Sequence, residues 1–226
     1  MRTTRIFTGI IAAALACAGC SASGDSSDDA GQNAKPLPHA IDGPQPDVFP
    51  QGGDELRVKP APKAGDSVEE KIQHALRENV LSIAHTPGET SAKCPDGITM
   101  KASVTSSCTV TYEGAEIPYE VKISDSYREG SMVFSYEKTP KSALLVAKEI
   151  YNLMWEHYGK DSGRSDASKL ACDELPAAKA VKFGADTGYA CQYWGEHGTA
   201  DGEPGYVTVD IIMGDTPGAI ALQEVR

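Results

Sequence analysis

Beyond its first 20 residues the chain holds no apolar run near the roughly 20 residues that a membrane-spanning helix needs. Cationic residues are also scarce: 21 Lys and Arg face 32 Asp and Glu, a formal net charge of −11. That balance argues against nucleic acid as a partner, because binding it requires Lys and Arg to displace phosphate counterions. Adsorption to anionic headgroups through a polybasic patch is disfavoured for the same reason. No G-x-S-x-G elbow, H-E-x-x-H helix, Walker loop or G-x-G-x-x-G turn occurs. The five histidines (His39, His74, His85, His157, His197) stand apart, none with a companion at ligand spacing. The acidic run Asp25-Ser26-Ser27-Asp28-Asp29 lacks the central glycine and closing Glu of a calcium loop and reads as a solvating spacer. No catalytic residue, metal or cofactor is therefore expected, and the chain is not expected to be an enzyme.

What the sequence does contain begins with an export address. Arg2 and Arg5 precede an apolar run, Ile6 to Ala16, which has the length and flanks of a secretory signal. The run ends in Cys17-Ala18-Gly19-Cys20-Ser21, which resembles a bacterial lipobox with Cys20 as the lipidated residue. The usual leucine at its first position is replaced by Cys17. Residues 1–19 are thus expected to be removed, making the mature chain two charges more acidic, since Arg2 and Arg5 leave with no acid. A diacylglycerol on Cys20 supplies two acyl chains, enough for stable anchoring, and places the protein at the extracytoplasmic face of the cell membrane.

Residues 20–66 read as a tether. They carry seven of the fourteen prolines and few large apolar residues (Leu37, Ile41, Val48, Phe49, Leu56, Val58), without a sustained period. Composition of this kind predicts disorder, because too little surface is buried to offset the ordering entropy.

Two α+β modules are expected after it, at residues 67–137 and 138–226, each one helix packed on a three- to four-stranded antiparallel sheet. Ser67 and Glu70 have capping-box spacing, and Val68, Ile72, Ala75, Leu76 and Ile83 follow at helical intervals up to Thr86-Pro87-Gly88. After Cys94-Pro95-Asp96-Gly97 the period becomes alternating, predicting strands through Ile98–Val104, Cys108–Tyr112, Ile117–Ile123 and Met132–Tyr136. Thr139-Pro140 then opens a second predicted helix with Leu144, Ala147, Tyr151, Met154 and Tyr158 on its apolar face, closed by Gly159. A polar loop leads to Cys172, and strands are predicted around Ala180–Phe183, Tyr189–Trp194, Tyr206–Ile212 and Ala219–Leu222. The repeated order suggests a tandem duplication.

With Cys17 in the signal and Cys20 carrying lipid, four cysteines remain, and they allow three pairings. Export brings the chain into an oxidising compartment, so disulfides are expected, and of the three pairings the one within each module, Cys94 with Cys108 and Cys172 with Cys191, is the expectation. Among these four no C-x-x-C spacing favours a redox or thiolate-metal role. Modules of this size have marginal cores, and each bridge closes a short loop for about 3 kcal/mol.

The first module resembles the actinobacterial family termed domain of unknown function 4333, through its leading helix, Cys94-Pro95, Cys108-Thr109-Val110, Gly114 and Tyr119-Glu120-Val121. The resemblance covers roughly residues 67–137 and implies a helix on a small antiparallel sheet with one disulfide, in an exported protein. It implies no activity. The second module departs from it, with Asp173 after Cys172 and a longer hairpin.

Both tryptophans lie in the second module, among Tyr151, Tyr158, Tyr189, Tyr193 and Tyr206. Most of these suit core packing of a helix on a sheet. Trp194 has the opposite strand parity to Cys191 and Tyr193, so it should point away from the core, beside the polar hairpin Gly195 to Gly205. The expectation is a surface lipoprotein whose Trp194 face binds an envelope protein or a cell-wall polymer. A small enzyme without a local motif and a structural spacer are the rival readings.

Overall fold

The computed structural model describes residues 35–131 and 133–225, so the signal segment, Cys17, Cys20, the acidic run and Met132 lie outside the described residues. Among the described residues the fold is α+β, with two α-helices, antiparallel strand pairing throughout and two disulfides. Helix α1 spans Val68–Ala84, and its start is written in two side chains. Glu70 N–H donates to Ser67 Oγ at 3.1 Å, and Ser67 N–H donates to the Glu70 carboxylate at 2.7 Å, satisfying two helix-end donors reciprocally. Those hydrogen bonds also hold the Glu70 carboxyl below its usual range. Ile72, Leu76, Val80, Leu81 and Ala84 form the buried stripe, and the helix ends at His85 in the left-handed conformation, φ 53°.

Four strands follow as an antiparallel meander: β2 (Thr90–Lys93), β3 (Thr105–Tyr112), β4 (Ala115–Ile123) and β5 (Tyr136–Pro140). Glu113 and Gly114, both at positive φ, form the two-residue link between β3 and β4. Such a turn matches the strand twist, and glycine takes its second position without steric cost.

Strand β6 (Ala143–Val146) pairs with β8 (Ala178–Val181), and helix α2 spans Ala147–Tyr158. A five-stranded sheet completes the chain in the order β1 (His39–Ile41), β7 (Ala167–Cys172), β9 (Asp186–Gly195), β10 (Gly205–Met213), β11 (Ile220–Val225). All four residues of β6 are buried, and alternation sends them into different cores. Ala143 and Leu145 pack with α2 and the five-stranded sheet, whereas Leu144 and Val146 pack with α1 and the four-stranded sheet. The β6–β8 ladder is therefore a partition shared by both cores.

Several sequence expectations need correction. Thr139-Pro140 does not open a helix: Pro140 ends β5, opposite Tyr119. At the edge of a sheet the missing proline N–H costs no ladder bond. The apolar run before α2 reads as a helical stripe because Leu144 and Ala147 are three apart, but a strand buried on both faces is equally apolar. Ile98–Val104 is not a strand either. Its alternation of half-buried residues is present, yet the backbone turns, with Lys101 N–H bonded to Thr99 O and Ser103 at φ 64°. The place beside β3 is taken by β2, which precedes Cys94 and has Ala92 as its one apolar residue. The supposed polar loop before Cys172 contains β7.

The tether expected over residues 20–66 is corrected from His39 onward. Strand β1 pairs with β7, Gln45 N–H donates to Asn152 Oδ1 at 3.2 Å, and Phe49 N–H donates to His85 O at 2.7 Å. Leu56 and Val58 are buried in the first core, and Ile41 in the second. This segment is a strap across both halves. Composition misleads here because three well-placed apolar residues suffice, and prolines already restrict the unfolded chain and so lower the ordering cost.

Candidate functional site

Trp194 lies on β9 between Ser168 of β7 and Tyr206 of β10, on the sheet face opposite the core. It is half-buried, edge-on to the Tyr206 ring at 5.0 Å between centroids. The pairing of β7 with β9 slips between Ser168 and Ala171, and Lys169 there adopts φ 50°. That irregularity redirects Lys169 so that its ammonium stands 4.6 Å from the Trp194 ring centre, a cation–π contact. One step along the same face, Gln192 is 6 % exposed and its Nε2 has no hydrogen-bond partner among the described residues. Thr208 and Asp210 continue that face on β10.

The opposite face explains why this surface is fixed in place. Tyr193 stacks on Tyr158 of α2 at 4.6 Å, and Arg164 stands 5.1 Å and 5.3 Å from the two ring centres. The guanidinium donates two bonds to Asp166, at 3.1 and 2.8 Å, one to Glu224 and one to Tyr193 Oη. Tyr193 O–H in turn donates to Glu224 at 2.9 Å. The paired Asp166 carboxylate holds Arg164 above its ordinary range, and Arg164 holds Asp166 below the usual carboxylate range. Burial pushes both tyrosine hydroxyls up. The loop carrying Arg164 is thus tied to the sheet, and Glu196 N–H bonded to Asp166 O ties the neighbouring hairpin to it. Within that hairpin, Thr199 and Glu203 bond one another, and a Cβ on Gly198 would collide with the Gly205 carbonyl.

Each cysteine pair adopted from the sequence forms a disulfide. Cys172–Cys191 joins directly opposed positions of β7 and β9, and Cys94, the residue after β2, is joined to Cys108 of β3, with Cα–Cα distances of 3.8 and 4.1 Å respectively. The histidines are less isolated than their spacing suggests. His39 stacks on Tyr151 at 3.9 Å, His74 Nε2 lies 3.0 Å from Val58 O, and His85 Nδ1 lies 3.0 Å from Glu149 Oε1. Their partners sit 16 to 112 residues away in the sequence, so no local motif announces them. Among the described residues no three His, Cys, Asp or Glu side chains converge as a metal site, and no helix is long and apolar enough to cross a membrane.

A second concave surface lies on the first half. A cavity of about 540 Å³ is walled by Pro60, Pro62 and Lys63 of the strap, Gln73, His74 and Arg77 of α1, and Thr90–Ala92 of β2. A neighbouring cavity of about 490 Å³ shares Gln73 and Ala92 with it and reaches Cys94 and Thr109. Neither was foreseen from the sequence, since the strap and β2 were both misread there. No family model, curated protein or solved structure matches the chain.

Proposed function

We propose that the protein is an exported lipoprotein, anchored through diacylglycerol on Cys20, that binds a partner at the extracytoplasmic face of the cell membrane through its Trp194 face. The partner is an envelope protein, with a cell-wall polymer as the second choice. The observation that carries this reading is the grouping of half-buried Trp194 and Tyr206 with exposed Lys169 on one sheet face, backed by a pinned network beneath. Aromatic side chains held rigidly at a surface give large contact area at low entropic cost, and they dominate interface energetics. No nucleic acid is proposed as a partner, since the chain carries a net charge of −11.

The first half carries a helix, a four-stranded meander and a disulfide from the residue after β2 to β3; the second carries a helix, the run β7-β9-β10-β11 within a five-stranded sheet, and a disulfide between β7 and β9. That shared order supports a tandem duplication with β8 inserted in the second copy, and agrees with the likeness of the first half to the family of unknown function. The strap belongs to both copies, so it is not a separate region.

Crosslinking of the full lipoprotein in intact cells, followed by identification of the attached species, tests the reading. Trp194→Ala is expected to weaken partner binding by about 2 kcal/mol while leaving the thermal unfolding curve in place. Binding that survives the substitution unchanged removes Trp194 from the site. A crosslink to glycan rather than protein moves the reading to the polymer.

A further inference from the structure

We propose that the outer edge of β11 is a self-association site, where a second copy of the chain adds its own β11 antiparallel and joins the two five-stranded sheets into one. The site is separate from the Trp194 face. Among the described residues nothing pairs with that edge. The other sheet edges carry familiar protections. Strand β1 has only three residues, β2 ends in Lys93, β8 holds Lys179, β6 is buried, and β5 holds Lys138 and ends in Pro140. Strand β11 is the longest of these edges, six residues of Ile-Ala-Leu-Gln-Glu-Val, without Lys, Pro or Gly and in unbroken register with β10.

The hydrogen-bond phase shows which groups point outward. Gly214 N–H donates to Ala219 O at 2.7 Å, so this pair just beyond the ladder is a bonded one. Bonded and non-bonded pairs alternate, and the register therefore sets Ile220 and Leu222 opposite Met213 and Ile211 in non-bonded pairs. Met213 gives an independent check: its N–H donates to the carbonyl of Ala185, the residue before β9, and so points away from β11. The N–H and C=O groups of Ile220 and Leu222 accordingly face out from the sheet edge. Their side chains are only half-buried against the second core, and Val225 on the other face is 47 % exposed.

Self-complementarity selects the occupant. With the dyad at Leu222, each Leu222 donates to and accepts from its copy. Ile220 then lies opposite the copy's Glu224, Ala221 opposite its Gln223, and Val225 opposite its Ala219. The half-buried apolar side chains of one copy are thus covered by those of the other. Strand β11 has one charged side chain, Glu224, which is turned toward its own Arg164 and Tyr193. In this register the two copies of Glu224 stand four residues apart along the strands, roughly 14 Å, beyond a Debye length of about 8 Å. No like charges oppose one another, so the pairing carries none of the cross-strand repulsion that keeps edges apart. The contact is one strand wide and the dimer correspondingly weak. The dyad of an antiparallel edge pair runs perpendicular to the sheet, so both Trp194 faces look the same way. That consequence, two partner sites side by side with the avidity they bring, rests on the Trp194 reading; the edge pairing does not.

The test is sedimentation velocity of the full chain at high micromolar concentration, with detergent micelles in excess. The parent is expected to populate a reversible dimer. Ala221 and Gln223, both exposed, carry the discrimination, because Ala221 of one copy faces Gln223 of the other. The double variants A221K/Q223K and A221E/Q223E each oppose like charges twice per dimer and should dimerise about tenfold more weakly than the parent. Mixed in equal amounts they should form a heterodimer, in which both opposed pairs are of unlike sign. Sharing of a micelle would not respond to these charges. The combination A221K/Q223E in one chain opposes unlike charges in its homodimer and should dimerise severalfold more tightly than the parent; it decides the matter if a like-charged variant folds poorly. A monomeric parent, like-charged variants that dimerise as the parent does, or a mixture without heterodimer overturns the proposal.

Discussion

Replacing Cys172 and Cys191 together with alanine is expected to cost the protein at least about 3 kcal/mol of stability. The bridge closes a loop of sequence separation 19, which on chain-entropy grounds is worth that much by itself. Both cysteines are also fully buried in the core beneath the five-stranded sheet, so the truncated side chains leave space that their neighbours do not fill. The corresponding change at Cys94 and Cys108 should cost somewhat less, because Cys94 keeps 6 % exposure near the surface. Urea unfolding of the three proteins, read by midpoint at constant slope, ranks them. A Cys172/Cys191 variant with an unshifted midpoint would show that strand pairing alone holds β7 to β9.

Stability is expected to fall as the pH rises above the ordinary histidine pKa of 6.5, and His85 is the cause. Its Nδ1 lies 3.0 Å from Glu149 Oε1, and Glu149 is buried with its other oxygen unpartnered among the described residues. The hydrogen bond to Glu149 raises the His85 pKa above its ordinary 6.5, with burial opposing it in part. A group whose pKa is raised on folding stabilises the folded state fully below its unfolded value, near 6.5, and loses that contribution as the pH climbs through the folded value. Deprotonation leaves a buried carboxylate facing a neutral ring, a loss of about 2 kcal/mol for a charge-assisted bond. His85→Asn keeps a residue that accepts the left-handed conformation of the helix end, so it isolates the pairing. Melting temperatures of this variant should lie below those of the parent at pH 6 and converge with them at pH 8.5. A parent-like slope in His85→Asn would assign the pH dependence to other groups.

How much of this was legible in the sequence depends on how local each signal is. Ser67 and Glu70 are three residues apart and act only on each other's backbone, so the helix start could be read directly. The outward parity of Trp194 follows from strand alternation alone, and the structure places it on the outer face. The strap could not be read, because Ile41, Leu56 and Val58 are ordinary apolar residues whose partners lie on distant elements. Strand β6 was lost to a real degeneracy: four consecutive buried residues fit a helix stripe or a two-sided strand. Lys169 was missed for a third reason. Its approach to Trp194 depends on a register slip in β7, and no residue in Ala-Ser-Lys-Leu-Ala-Cys announces one.

The register of the five-stranded sheet also fixes a mechanical route. If the chain is held at Cys20 while a partner grips Trp194, tension enters at β1, whose neighbour in the sheet is β7. His39 is opposite Cys172, Cys172 is bonded to Cys191, and Cys191 lies three positions from Trp194 on the same strand. The load therefore crosses from β7 to β9 through a covalent bond. The weak joint is the three-residue seam between β1 and β7. When that seam parts, the strap pays out several tens of ångströms of chain, and the gripping surface stays clamped to its own sheet.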